Sequence, residues 1–192
     1  MALNLEIQKS LRRQIPTIAL QQTRKIVKSS FQKKKNEMIA DFLNHPVSLE
    51  IKGGVEAENI SGTLNGITNL FSFIGFEQGT DPLQPIIELL QKTNLDLGRT
   101  VGQKVVFSVI LPTPKEIFEV TPLPYMPGRS WARSIETGLS GLGYYIKKPS
   151  NSSRSGLGIQ VEKRVRKVKF ANTKYISDFL KRYKKEFENI QL

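Results

Sequence analysis

The sequence has no cysteine and one histidine among its 192 residues, and these two shortages remove much of the familiar catalytic chemistry. Without thiols there are no disulfides, no thiolate nucleophile and no thiolate metal site. Stability has to come from packing or assembly. His45 has no second histidine to pair with and stands directly before Pro46, so it reads as an end-of-helix residue and not as a base or a ligand. Long apolar runs are missing too, since nothing approaches the roughly 20 residues that span a bilayer. Asn4, Glu6, Gln8 and Lys9 interrupt the stretch where a signal peptide would be apolar. The expectation is a soluble protein of the cytoplasm, or of a particle assembled there, with no membrane partner.

Phosphate and metal loops are absent as well. There is no glycine-lysine-serine loop of the Walker type. Gly138, Gly141 and Gly143 fall inside a helical pattern instead of following a strand, the wrong context for a dinucleotide loop. Glu56 and Glu58 sit in a run of small residues without the Asp-rich spacing of a calcium loop, and read as solvated surface. The pair Ser140-Gly141-Leu142-Gly143 and Ser155-Gly156-Leu157-Gly158 is one short self-similarity, too little for a repeat architecture. No enzyme, no cofactor and no metal is expected.

What the sequence does have is positive charge, confined to its two ends. Residues 1–43 hold nine Lys/Arg against three acids and residues 160–192 hold ten against four, a net of +6 each. The 116 residues between carry ten of each sign. Two basic surfaces on a neutral body imply an acidic partner, protein or nucleic acid. At this length, with 39% hydrophobic residues, one domain over residues 1–192 is expected. Its parts are a basic N-terminal helical arm (1–43), a neutral α+β body (44–159) and a basic C-terminal strand and helix (160–192).

Periodicity and punctuation give the elements. Residues 3–11 suit a short helix, and Pro16 opens a second that runs to about Phe42, ended by His45 and Pro46. Its apolar stripe is thin, so Ile26, Phe31 and Met38 are expected to seek a neighbouring subunit. Residues 47–51 alternate like a strand, 56–69 read as an extended loop that orders on assembly, and 70–76 form an aromatic strand. Pro82 starts a helix carrying Leu83, Ile86, Ile87, Leu89 and Leu90, capped by Thr80 or Asp81. Residues 105–111 and 117–120 pair as strands, 130–146 form a helix, 147–155 a polar loop, 158–170 a basic strand, and 173 to about 190 a final helix. That helix places Ile176, Phe179, Leu180, Tyr183, Phe187 and Ile190 on one face. The fold class is α+β, with a small, mostly antiparallel sheet of about four strands flanked by a long N-terminal helix, central helices and a C-terminal helix.

The candidate partner-binding residues are Arg24, Lys25, Lys28, Lys33, Lys34 and Lys35 in the first arm, and Arg166, Lys181, Arg182, Lys184 and Lys185 in the second. With Tyr175 and Tyr183 nearby, the second set has the composition to track phosphates. Periodicity already assigns those tyrosines to the core, however.

One order of features resembles the neck, or tail-completion, proteins of tailed bacteriophages. A long charged helix is followed by Ser61-Gly62-Thr63-Leu64, an aromatic stretch through Phe71, Phe73, Gly75 and Phe76, a Gln78-Gly79-Thr80 turn and a helix. Later, Pro124-Tyr125-Met126-Pro127 leads to Trp131. The resemblance covers mainly residues 24–80 and 123–146. It departs from the family where Pro46-Val47 is separated from Ser61-Gly62, and in the added basic C-terminus. It implies a non-enzymatic virion structural protein that forms a ring at the head-tail junction, assembled in the host cytoplasm. Its partners would be further copies of itself and other head-tail connector and tail proteins, with transient contact with DNA. The alternative from composition is a non-specific nucleic-acid-binding protein.

Overall fold

The structure is a computed structural model, and it describes residues 5–64, 66, 68–101, 104–138 and 173–189. Helix α1 (Leu5–Asn44) leads into α2 (Pro46–Lys52), a 3-10 turn at Gly54–Glu56, α3 (Leu70–Ile74) and α4 (Gln84–Gln91). Strands β1 (Asn94–Val101) and β2 (Lys104–Ile110) follow, then α5 (Pro114–Glu119), β3 (Pro122–Leu123), β4 (Met126–Ser130), α6 (Trp131–Thr137) and α7 (Tyr175–Glu188). The α+β class with a long first helix is borne out. The strands are antiparallel but form two separate pairs, β1 with β2 and β3 with β4.

Three segments expected as strands are helices, each because a capping residue outweighs a few residues of alternation. Ahead of α2, the Nδ1 of His45 accepts from the N–H of Val47 at 3.2 Å, and Pro46 fits the first turn. The buried residues are then Val47, Ser48, Glu50 and Ile51, a helical spacing, while Leu49 is exposed. Asn69 caps α3 through Ser72 N–H, and Gly75, at φ 83°, ends it in the left-handed conformation glycine adopts without strain. In α5, Thr113 and Glu116 form a reciprocal capping box, with Pro114 just inside. Glu116 is exposed, and its bonds from Thr113, backbone first, hold its pKa below the ordinary carboxylate value.

Other boundaries also differ. Helix α1 runs unbroken through Pro16, at the expense of one backbone hydrogen bond within forty residues. Strand β1 was not anticipated; β2 matches the expected 105–111 strand, and the register slips between Asp96 and Arg99 as in a bulge. Helix α6 ends at Thr137, because Gly138 at φ 120° and ψ 125° is not helical, and the rest of the helix expected over 130–146 lies outside the described residues. The basic strand at 158–170 lies outside the described residues.

One core joins the two ends of the chain. Helix α7 lies antiparallel along the second half of α1: Phe31 meets Phe187 (ring centroids 5.6 Å apart) while Phe42 meets Tyr175 and Phe179 (5.7 Å each). Phe31 and Met38, expected to seek a neighbouring subunit, are thus buried by the chain itself, and Ile26 is left 52% exposed. Leu70, Phe71 and Ile74 of α3, Ile86 and Leu90 of α4, and Trp131 and Ile135 of α6 complete the cluster. The 56–69 loop, expected to order on assembly, is held within the chain by Glu50. Both oxygens of this buried carboxylate accept, from Asn59 Nδ2 (2.9 Å), Ser61 N–H (2.9 Å) and Leu70 N–H (2.6 Å).

Candidate functional site

Antiparallel packing of α1 on α7 places the two basic ends of the sequence side by side, and part of their charge is used in that seam. The Arg182 guanidinium donates to Asp41 at 2.7 Å and lies 3.6 Å from Glu186. Tyr183 also donates to Asp41, at 2.6 Å. Lys34 bridges Glu37 (2.6 Å) and Glu186 (3.4 Å), so the chain of charges runs across both helices. The Glu37 hydrogen bond, opposed by desolvation and helped by Glu186, raises the Lys34 pKa above the ordinary lysine value. Burial first, and Asp41 second, push Tyr183 well above the ordinary phenol value. Arg182 also sits over the Tyr183 ring, 4.9 Å from its centroid.

Lys35 points the other way. Its ammonium donates to the backbone carbonyls of Gln91 and Thr93, closing the C-terminal end of α4 where carbonyls lack helical partners. Of the eleven residues assigned to partner binding, then, Lys34, Lys35 and Arg182 already bind this chain. Arg24 is half-buried, with its Nε enclosed and without a partner among the described residues. Lys25, Lys28, Lys33, Lys181, Lys184 and Lys185 are exposed. At 100° per residue, Lys28 and Lys33 point about 140° apart, so the α1 lysines do not converge on one phosphate-sized point. Arg166 lies outside the described residues. Tyr175 and Tyr183 are buried, as periodicity indicates, and neither offers a ring face for base stacking.

A cleft of about 450 Å³ opens where α1, α2 and α7 meet, lined by Asp41, His45, Lys174, Tyr175, Asp178 and Arg182 among others. His45 is half-buried there with its ring 4.8 Å from that of Tyr175. Burial, and then the Arg182 charge, lower its pKa below the ordinary 6.5. Its Nδ1 is occupied as the cap of α2, which makes it a structural acceptor and not a free base. Tyr175 is shielded further and shares a 2.6 Å hydrogen bond with Ser48; burial raises its pKa, and the Ser48 bond opposes the rise. Among the described residues no three His, Asp or Glu side chains are grouped to hold a metal, and no described helix is long and apolar enough to cross a membrane.

Residues that sequence reasoning missed are mostly acids. Asp41 and Glu186 neutralise the seam, and Glu136 caps α7 from α6, accepting from the N–H groups of Ile176 (2.7 Å) and Ser177 (2.6 Å) and from the Ser177 hydroxyl (2.6 Å). Glu186 stands four residues after Arg182, a spacing readable in advance. Asp41 and Arg182 are 141 positions apart, and no local signal links them. Compared with protein-family models, curated proteins and solved structures, the chain matches none.

Proposed function

We propose that this chain is a non-enzymatic structural protein of a phage virion, forming a ring with other copies at the head-tail junction and docking there against connector and tail proteins. The observation that carries the reading is the proportion of α1. At 1.5 Å per residue its forty residues extend about 60 Å. Among its side chains described from residue 19 onward, the buried ones, Val27, Phe31, Met38 and Phe42, all lie in the second half. A helix of that length, whose described burial is confined to its second half, is suited to joining subunits. The hairpin of β1 and β2 adds to this: a two-stranded sheet has two open edges, and Val106 and Ile110 on β2 are 51% and 61% exposed. The order of sequence features resembling neck proteins supplies the location.

The rival reading, a non-specific nucleic-acid-binding protein, is favoured by the net charge of +12. Against it, three of the candidate cations are held by Asp41, Glu37, Glu186 and the end of α4, and the exposed lysines of α1 are dispersed around the helix. Reconstruction of the native particle tests the proposal. A single ring at the junction is expected, and a lone copy or copies scattered over the capsid refute it. In solution, DNA binding should be sequence-independent, with log K falling against log salt at about −0.9 per phosphate neutralised. DNA binding that stays tight at moderate salt would instead favour the nucleic-acid-binding reading.

A further inference from the structure

Helix α1 is continuous, but its apolar positions belong to two different faces. At 100° per residue, Val27, Phe31, Met38 and Phe42 fall within an arc of about 60°, and all four are buried in the chain's own core. Positions 7, 11, 15 and 18 hold Ile, Leu, Ile and Ile. The same count places them within about 80° of one another on the far side of the helix, roughly 165° from the core stripe. Ile26 continues this second stripe, and it is 52% exposed. The first-half positions that stay in phase with the core are Glu6, Lys9, Arg13, Leu20 and Arg24, so four of the five are charged and the core-facing pattern is no longer apolar there. Between residues 20 and 26 the apolar pattern of the helix changes face.

Charge and distance identify the partner of the second face. From Ile7 to Asn36 the helix carries nine cations and no acid, so pairing two such arms opposes like charges. The stripe is narrow, and residues 1–30 contain no Trp, Tyr or Phe, which argues against a helix lying in a lipid interface. The neutral body supplies the complement. Leu49, Val55 and Ile60 are 40%, 47% and 57% exposed, and Glu56 and Glu58 between them are exposed as well, with Lys52 the one cation of that segment. Gly53 draws the end of α2 and this loop together, since a Cβ there would lie 2.8 Å from the Cβ of Ala57. This surface adjoins the C-terminal end of α1, whereas positions 7–18 lie about 36 to 52 Å up the axis from Phe42. A helix cannot bend back over that distance, so complementary surfaces at its two ends meet only between molecules, head to tail.

We propose that residues 7–18 of α1, by the helix face that carries positions 7, 11, 15 and 18, dock on the acid-rimmed apolar surface around Leu49, Val55 and Ile60 of a second copy of this chain. The inference rests on the ring reading above and names its contact. In the test, full-length chains bearing photoreactive benzoylphenylalanine at position 15 are mixed, light with nitrogen-15-labelled, irradiated with and without phosphatidylserine vesicles, and the cross-links mapped by mass spectrometry. Mixed-isotope links from position 15 to residues 49–60 are expected. Links from arm to arm, or loss of the protein-protein links to the vesicles, overturn the proposal. Ile15→Glu, and separately Glu56→Lys with Glu58→Lys, should weaken self-association in sedimentation by roughly tenfold or more while the melting temperature holds. If Ile15→Glu particles carry rings of native size, this contact is refuted and the ring reading survives. Particles of the unmodified chain that carry no ring refute both.

Discussion

Glu50 is the residue whose replacement tests the fold most sharply, because one buried carboxylate holds a loop that is otherwise rich in glycine and small polar residues. Its Oε1 accepts from Asn59 Nδ2 and Leu70 N–H and its Oε2 from Ser61 N–H, so three donors separated by up to eleven positions converge on one side chain. Glu50→Gln preserves shape and one acceptor oxygen. The new amide group would face the Ser61 N–H donor to donor, which removes a charge-assisted bond and strands a backbone donor. Relief from burying an unpaired charge offsets part of this. The net cost should be about 2 to 4 kcal/mol. For a chain of this size, at about 2–4 °C per kcal/mol, the midpoint should fall by about 5 to 15 °C. Thermal melting followed by circular dichroism measures the shift, and hydrogen exchange locates it: the amides of Ser61 and Leu70 should lose protection before those of α7. Glu50→Ala, which removes all three bonds and leaves a cavity, should be worse. A Gln variant that melts with the parent chain and protects those amides equally would refute the view that Glu50 organises residues 59–70.

The remaining predictions separate packing, surface charge and titration. Phe179, held between Phe42 and Tyr183, should cost about 3 to 5 kcal/mol when truncated in Phe179→Ala, read by urea unfolding; an unchanged midpoint would mean the seam is not the core. Reversing the exposed Lys181, Lys184 and Lys185 to Glu should leave the melt nearly unchanged yet block incorporation into particles, and joined, infectious particles from that variant would show that α7 is not a docking surface. Arg182 must be left intact in that experiment because it is already bound to Asp41 and Glu186. The lowered pKa of His45 means that the unfolded chain takes up its proton first, so its contribution to stability is complete above the ordinary histidine value and is lost as pH falls through the folded one. His45→Asn keeps a capping acceptor without the titration, and its melting temperature should therefore fall less than the parent's between about pH 7.5 and about pH 5; parallel curves would assign the pH dependence elsewhere.

Much of the architecture was determined by local sequence. The final helix was readable because its apolar residues recur at three and four positions over fourteen residues, long enough for periodicity to be unambiguous. The long first helix, its end at His45 and Pro46, the turn before α4 and the polarity of the two ends were equally local properties. Residues 47–51, 70–76 and 117–120 were not, because a run of four to seven apolar and polar residues fits either period. There the choice fell to His45, Asn69 and Thr113, whose side chains satisfy the first N–H groups of a helix. Tertiary structure alone decided how the charges are used. Lys34, Lys35 and Arg182 look like their neighbours in sequence, and only the crossing of α1 with α7 and α4 brings them to Glu186, the α4 carbonyls and Asp41. Burial of Phe31 and Met38 followed from the same crossing. Local patterning specifies which face of a helix is apolar. Which surface covers that face depends on contacts between residues more than a hundred positions apart, and for those the chain has no local code.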